Sequence, residues 1–473
     1  MAARGEPPFV LALDVGTSST RALAYDARGR ARPAATARAG HRLTTTPDGG
    51  AFLDPDELLQ TASGCLEQAR KGLSSAPLAA MAMDCFWHSL IGVDDSGEPL
   101  TPVLTWADTR ASKAAEELRG MLDEAAIHAR TGCRLHASYW PAKLRWLAHS
   151  EPAAYRRTKR WMSFGEYVQW RLTGELVCSL SMASGTGLLD VRTCQWDAPL
   201  LEALRLDPER LSPLVDVDHP LPGFWLPAVG DGASSNIGSG CSGPDRLALN
   251  MGTSSALRVV KEDASGELPM GLWKYRVDRR RALIGGALSE GGNLWAWLRS
   301  MLRLPSLRAT EAELAAMSPD AHGLTVLPFV AGERSTGWHA DARLTVSGVS
   351  LATRPVELLR AALEAVAYRL AAVHEQLEPF APGARIVASG TAMVGSATWA
   401  QVVADVLGQP VQVLNDPEVT ARGAALLALE ALGHSPDPQL HYEAIFEPDS
   451  GRHARYQQAR ARQRALYERL TTT

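Results

Sequence analysis

The sequence predicts an α/β chain with mixed sheets, built as two similar halves, and three observations carry this. With 473 residues, 46% apolar and 21% charged, the chain holds material for two to four domains at roughly 100–200 residues each. Short apolar runs of strand length alternate with longer helical patterns along most of its length. A Gly-Thr-Ser-Ser core beginning at Gly16 recurs at Gly252, 236 positions later and half the chain away.

The elements follow in order. An apolar run at 10–13, a tight glycine turn and a second run at 22–25 read as a β-hairpin. A helix comes next at 55–71, then strands at 79–83 and 89–93 and a helix at 113–122. The glycine-rich stretch 229–243 reads as the domain boundary. Runs at 247–251 and 256–260, around the second Gly-Thr-Ser-Ser turn, repeat the hairpin. A helix at 355–377, a strand at 386–388, a helix at 396–407, a strand at 411–414 and a helix at 420–432 complete the second half. From Gly451 an Arg/Gln-rich tail reads as a surface helix.

Charge and cysteine usage exclude several functions. Lys and Arg total 48 against 52 Asp and Glu, a formal net charge of −4, which is not the signature of a nucleic-acid binder or a polybasic membrane-surface protein. Arg279-Arg280-Arg281 reads as a solvated turn. The six cysteines show no paired spacing and read as buried thiols of a reducing compartment. The first apolar run is too short for a secretory signal, and no stretch of about 18 apolar residues exists. The expectation is a soluble cytoplasmic protein with neither membrane nor nucleic-acid partners.

Three clusters could carry chemistry. Each Gly-Thr-Ser turn exposes backbone N–H groups and hydroxyls toward one point, a concavity suited to phosphate oxygens. Asp14 precedes the first turn and could hold Mg²⁺, directly or through its waters, although a turn-capping role stays open on the residues alone. Asn250 stands at the matching place in the second half. In the second cluster Asp231 is flanked by Gly230 and Gly232, with open backbone around a carboxylate that could take a proton from a hydroxyl; on composition alone an aspartate in a tight turn is the better fit. The third joins Trp87 and His88 to Trp106, Asp108 and Arg110, ring faces and polar groups suited to a polyol, while a structural histidine remains an alternative for His88. The formal G-x-G-x-x-G at 238–243 follows no strand, and no G-x-x-x-x-G-K-[ST] occurs. Any nucleotide site therefore uses a fold without a P-loop.

These motifs, in this order, resemble the FGGY carbohydrate kinase family of the actin/hexokinase/heat-shock-chaperone ATPase superfamily. The resemblance rests on LALDVGTSSTRALAYD, FWHSLIGVD with TWADTR, VGDGASSNIGSG, NMGTSSALR, LPFVAGER with LLRAALEAVAYRL, and VASGTAMVGSATWAQVVADVLGQPV, across residues 9–432. SFGEYVQWRLTGELVCSLSMASGTGLLDVRTCQWD, TGCRLHASYWPAKLRWL and AGERSTGWHADAR look like the gluconokinase branch; xylulokinases are the next nearest. Ser389-Gly390-Thr391 stands where a Gly-Gly pair is usual, and Phe86-Trp87 replaces smaller residues beside the sugar.

The resemblance implies two ribonuclease-H-like domains facing a central cleft: 1–242 binding sugar, 243–450 binding nucleotide, and 451–473 a helical tail. It implies ATP and Mg²⁺ as cofactors, with Asp14 helping to hold the metal and Asp231 as general base. Gly16, Thr17, Ser18, Thr20, Arg21, Gly252, Thr253, Gly292, Gly390, Thr391 and Ser396 are expected to meet the nucleotide. Trp87, His88, Trp106, Asp108 and Arg110 are expected to meet the substrate, a sugar or sugar acid with gluconate first and a pentulose or polyol as the alternative. A homodimer is left open. A chaperone-type or actin-type ATPase would share the turns without needing the Trp/His/Asp/Arg kit, and a non-catalytic sugar sensor would not need Asp14 and Asp231.

Overall fold

The apolar run at 10–13 becomes the middle of a strand buried along its whole length. In a computed structural model, which describes residues 9–74, 76–262, 266–436 and 439–471, β1 (Phe9–Val15) turns at Gly16 into β2 (Ser19–Tyr25). The Gly16 N–H donates to the Ser19 carbonyl to close the turn. With β3 (Ala31–Gly40), β4 (Leu78–Cys85) and β5 (Val229–Gly230), these strands form a sheet in the order β5-β4-β1-β2-β3. β4 runs parallel to β1, and β5 parallel to β4. The hairpin strands are antiparallel, so the sheet is mixed.

The second half repeats the device. β6 (Arg246–Met251) and β7 (Ser255–Lys261) form an antiparallel hairpin. With β8 (Ala282–Leu288), β9 (Arg385–Ser389), β10 (Val411–Leu414) and β11 (Tyr442–Phe446) they lie in the order β8-β7-β6-β9-β10-β11. β9 is parallel to β6, and β10 to β9. In both halves the first hairpin strand sits between its antiparallel partner and a parallel strand that arrives much later in the chain. The sequence repeat is therefore a structural repeat.

The chain divides into two compact units. The first takes in the described residues of Met1–Gly240, Lys261–Leu283 and Glu418–Gln439, the second those of Cys241–Val260, Ile284–Pro417 and Leu440–Thr473. A single break after residue 242 misses the two returns to the first unit. The stretch 229–243 is not a loose linker either. After β5 it forms a helix, α2 (Asp231–Gly238), buried from Gly232 to Gly238.

Packing explains the glycines of that stretch. α2 crosses α3 (Val419–Ala431) at backbone contact. A Cβ on Gly238 would lie 1.8 Å from the Val419 carbonyl oxygen, and one on Gly423 1.8 Å from that of Ser234. Arg422 seals the crossing by donating Nε–H to the Gly238 carbonyl at 2.8 Å. α3 also packs on β1, β2 and β4 through a nearly all-apolar helix whose buried leucines each contribute roughly 1.5–3 kcal/mol.

Local signals set the remaining helices. α1 (Pro55–Lys71) starts where Asp54 accepts from the backbone N–H groups of Asp56 and Glu57, with Pro55 in the first turn and Arg70 and Lys71 in the last. The tail helix Ser450–Thr471 belongs to the second unit and is anchored rather than lying loose on the surface. Tyr456 is buried there, its hydroxyl accepting from Arg360 at 2.7 Å and donating to Glu364 at 3.3 Å. All six cysteines are buried free thiols. In the Arg279–Arg281 turn, Arg281 pairs with Asp278 and Glu430, each at 2.7 Å, so only part of it is solvated.

Candidate functional site

Ligand sites in open α/β sheets form beyond the carboxyl ends of the parallel strands. In the first unit those ends carry Asp14 on β1, Asp84 and Cys85 on β4, and Gly230 on β5, which runs into Asp231 at the first position of α2. Asp14 pairs across the ladder with Asp84, which pairs with Val229 on its other side. Three carboxylates thus converge from three strand ends.

Their electrostatics follow from burial. Removal from water lifts the Asp14 carboxyl to about 6, against the opposing pull of Arg21. Asp84 is fully buried and stands well above the usual range, first through burial and then through the charges of Asp14 and Asp231. Arg21 lies 3.8 Å from Asp14 and 3.2 Å from Glu418. Asp231 is half-buried; its Oδ1 accepts from the Gly232 N–H at 2.8 Å and, at longer reach, from the Trp87 N–H at 3.4 Å. The first turn of a helix favours negative charge at this position.

Beside Asp231 lies the Trp87–His88 segment. The Trp87 indole is buried, with its N–H donated to the Ser181 carbonyl at 2.9 Å and its ring 4.7 Å from that of Tyr275. Cβ atoms on Gly185 and Gly230 would fall 2.3 and 1.9 Å from indole atoms, so the ring fills a slot that only glycines leave open. Trp87 thus turns a backbone N–H to Asp231 while its ring faces inward, a correction to its expected role as a stacking face for a sugar. His88 adopts φ 67°, a left-handed backbone that costs about 1–3 kcal/mol in a side-chain-bearing residue. Two contacts hold it there: Nδ1–H donates to the Gly185 carbonyl at 2.5 Å, and the His88 carbonyl accepts from Lys143 at 2.6 Å.

Lys143 is itself fully buried, which lowers its ammonium to about 7 although Asp108 opposes the shift. In the unfolded chain it holds its proton up to the usual 10.5, so between about pH 7 and 10.5 folding releases a proton and stability rises with pH. Lys143→Met should remove that rise. Urea midpoints at pH 7 and 9 are expected to separate wild type from variant by on the order of 1 kcal/mol per pH unit.

The structure reassigns several expected contacts. Asp108 is buried and accepts Nε–H and Nη2–H from Arg110 at 3.0 and 2.6 Å, plus the Ala51 N–H. The Arg110 guanidinium also stacks over Trp146 and Phe52. Asp108 therefore spends its charge on Arg110. Trp106 is half-buried, its carbonyl accepting from the Ser138 hydroxyl. Gly16, Thr17 and Ser18 are accessible at the turn, whereas Thr20 is fully buried beneath it. Arg21 is bound up with Asp14 and Glu418.

In the second unit, the Gly252–Thr253 turn is hooked onto the start of the helix Gly292–Met301. The Gly292 N–H donates to the Gly252 carbonyl, and the Asn293 N–H to that of Thr253. Gly390 at φ 100° passes close to β6, where a Cβ would sit 2.5 Å from the Met251 carbonyl oxygen. Thr391 is exposed at the start of the next helical turn. Ser396 is buried and caps the helix Ala397–Leu407, accepting from the Trp399 N–H and donating to Glu311. Its hydroxyl thus serves that cap and Glu311.

Sequence reasoning missed Asp84, Glu418, Lys143 and the Tyr139–Tyr275 hydroxyl pair at 2.6 Å. For Asp84 a signal existed in the single charge of Leu-Ala-Ala-Met-Ala-Met-Asp-Cys, since an unpaired charge inside an apolar strand demands a reason.

Comparison with known proteins gives a consistent picture. The N-terminal domain of the FGGY family of carbohydrate kinases matches residues 9–221 and the C-terminal domain residues 247–432. A gluconokinase of Bacillus subtilis (strain 168) is 26% identical over 460 residues, covering 90% of this chain and 88% of its own. A glycerol kinase of Leptothrix cholodnii is 32% identical over 450 residues, covering 89% and 90%. The crystal structure of a ligand-bound xylulose kinase from Lactobacillus acidophilus superposes with a TM-score of 0.90 at 26% identity, covering 98% of this chain and 99% of its own. No helix among the described residues is long and apolar enough to cross a membrane. Two matched domains and likeness over the whole length leave one conclusion: the chain belongs to the FGGY family and is an ATP-dependent carbohydrate kinase.

Proposed function

We propose that the chain transfers the terminal phosphoryl group of ATP to a hydroxyl of gluconate, with Asp231 accepting the hydroxyl proton. The observation that carries the role of Asp231 is its place: a half-buried carboxylate at a strand end, on the first turn of a helix, beside the Trp87–His88 segment. A base so placed supplies typically 10²–10⁴-fold. The rest of the acceleration in phosphoryl transfer comes from positioning and charge neutralisation. Backbone amides of Thr17 and Ser18 at the accessible first turn suit phosphate oxygens, and so, in the second unit, do those of Thr253 and Gly390.

Mg²⁺ fits the residues present. Asp14 is an oxygen donor in a buried corner beside two further carboxylates, its carboxyl pushed up by removal from water against the pull of Arg21. A bound Mg²⁺ would supply charge neutralisation at the phosphates. The chain's own groups orient the acceptor: His88 is locked by Gly185 and Lys143, and Trp87 aims its N–H at Asp231. A cytoplasmic setting accords with six free thiols.

Gluconate is supported by likeness to a gluconokinase along nearly the whole chain. A second reading, a neutral pentulose or polyol, is favoured by one feature. Arg110, the expected partner for a sugar-acid carboxylate, already commits Nε and Nη2 to Asp108. A coupled assay of ADP release over gluconate, xylulose, ribulose, glycerol, fuculose and erythritol decides. The gluconate reading expects kcat/KM for gluconate to exceed the others by tenfold or more, about 1.4 kcal/mol of transition-state preference. A preference for a neutral substrate replaces it with the second reading.

A further inference from the structure

Asp84 is a buried carboxyl group that no N–H or hydroxyl reaches. It has no solvent exposure, and its side chain meets only another carboxyl, that of Asp14, with which it can share a proton. Its charged neighbours are Asp14 and Asp231, both of its own sign, with Arg21 opposing them more weakly. An orphaned buried polar group costs about 1–3 kcal/mol, and more when charged. Such a group persists where something absent from the protein atoms completes it.

The repeat between the two units shows that the fold does not require an acid here. Asp14 and Asp84 are ladder partners on β1 and β4. The matching partners on β6 and β9 are Asn250 and Ser389. There the pair satisfies itself, with the Asn250 amide donating to the Ser389 hydroxyl at 3.3 Å. One scaffold thus carries a neutral, self-contained pair in one unit and two facing carboxylates in the unit that holds Asp231.

Two carboxyl groups in mutual contact, holding at most a shared proton, form a half-shell that a hard cation can take over. Mg²⁺ characteristically takes one or two carboxylates and fills its remaining positions with water and substrate phosphate oxygens. Among the described residues no three His, Cys, Asp or Glu side chains form a ready-made cage, in keeping with a shell completed by nucleotide. We infer that Asp84 is a second carboxylate for the divalent cation that accompanies ATP, sharing it with Asp14. This rests on the reading of Asp14 given above.

The test measures metal binding rather than turnover. Mn²⁺ is titrated into full-length wild type, Asp14→Ala, Asp84→Asn and Asp84→Ala, with and without ADP, and free Mn²⁺ is followed by electron paramagnetic resonance. Melting temperatures are recorded alongside. Both Asp84 variants are expected to bind Mn²⁺ in the presence of ADP at least about tenfold more weakly, while ADP alone binds unchanged. Without metal they should melt at or above wild type, because a buried carboxyl crowded by Asp14 and Asp231 has gone, and added Mn²⁺ should raise their melting temperature less. The alanine variant keeps the test open if the amide perturbs the fold. Mn²⁺ affinity within twofold of wild type in both Asp84 variants, with Asp14→Ala impaired, overturns the role of Asp84 and leaves that of Asp14 standing. Undiminished affinity in Asp14→Ala as well overturns both.

Discussion

Asp231→Asn is expected to cut sugar-dependent ADP release by roughly 10²–10⁴-fold, the contribution typical of a positioned general base, or about 3–5 kcal/mol of barrier. ATP binding should persist, because the accessible Gly16 and Gly252 turns are untouched. The amide preserves shape, and its Oδ1 can still accept from the Gly232 and Trp87 N–H groups. The fold should not suffer, since Asp231 adds like charge to both Asp14 and Asp84. A melting temperature at or above that of wild type, together with lost turnover, is the combination that assigns the role. Wild-type turnover in the variant removes Asp231 from it.

The second large effect is structural. Gly238→Ala places a Cβ 1.8 Å from the Val419 carbonyl oxygen and 2.9 Å from the Gly423 nitrogen. Both are backbone atoms, so no rotamer change relieves the clash and α2 must part from α3. Overpacking of this kind costs typically 1–3 kcal/mol and sometimes more, against about 1 kcal/mol gained from better helix propensity. Taken at the upper end of that range, as a clash between backbone atoms requires, the net loss of roughly 2 kcal/mol lowers Tm by about 4–8 °C. Activity should fall further than stability, because Asp231 begins the displaced helix. Gly64→Ala on α1 is the control. A Cβ there meets nothing within 4 Å, so stability should rise by about 0.5–1 kcal/mol. Equal effects from the two substitutions would refute the close helix crossing.

What the sequence made legible was local. The paired turns at Gly16 and Gly252 need only neighbouring residues, and they marked both hairpins and the structural repeat. Helices at 55–71 and 355–377 were readable because caps, prolines and apolar period lie within each segment, and the structure gives Pro55–Lys71 and Pro355–Leu377. What escaped was set by contacts between distant segments. Gly238 looks like a linker residue until Val419 is laid against it. Asp84 looks incidental in an apolar strand until ladder register puts it opposite Asp14. Arg110 and Asp108 read as two ligand contacts because sequence cannot show that they bind each other. Trp87 was legible as important, yet the glycines that turn its ring inward lie about 100 and 140 residues further on.

The return of Val419–Ala431 to the first unit also bears on synthesis. During translation, at about 5–20 residues per second, the sheet that ends in β5 is emitted long before the helix that covers β1 and β4. That apolar face stays bare in the nascent chain until Val419–Ala431 has been made. A truncation falling between Asp231 and Val419 leaves a polypeptide that holds Asp14, Asp84 and Asp231 yet exposes an apolar surface to chaperones and proteases.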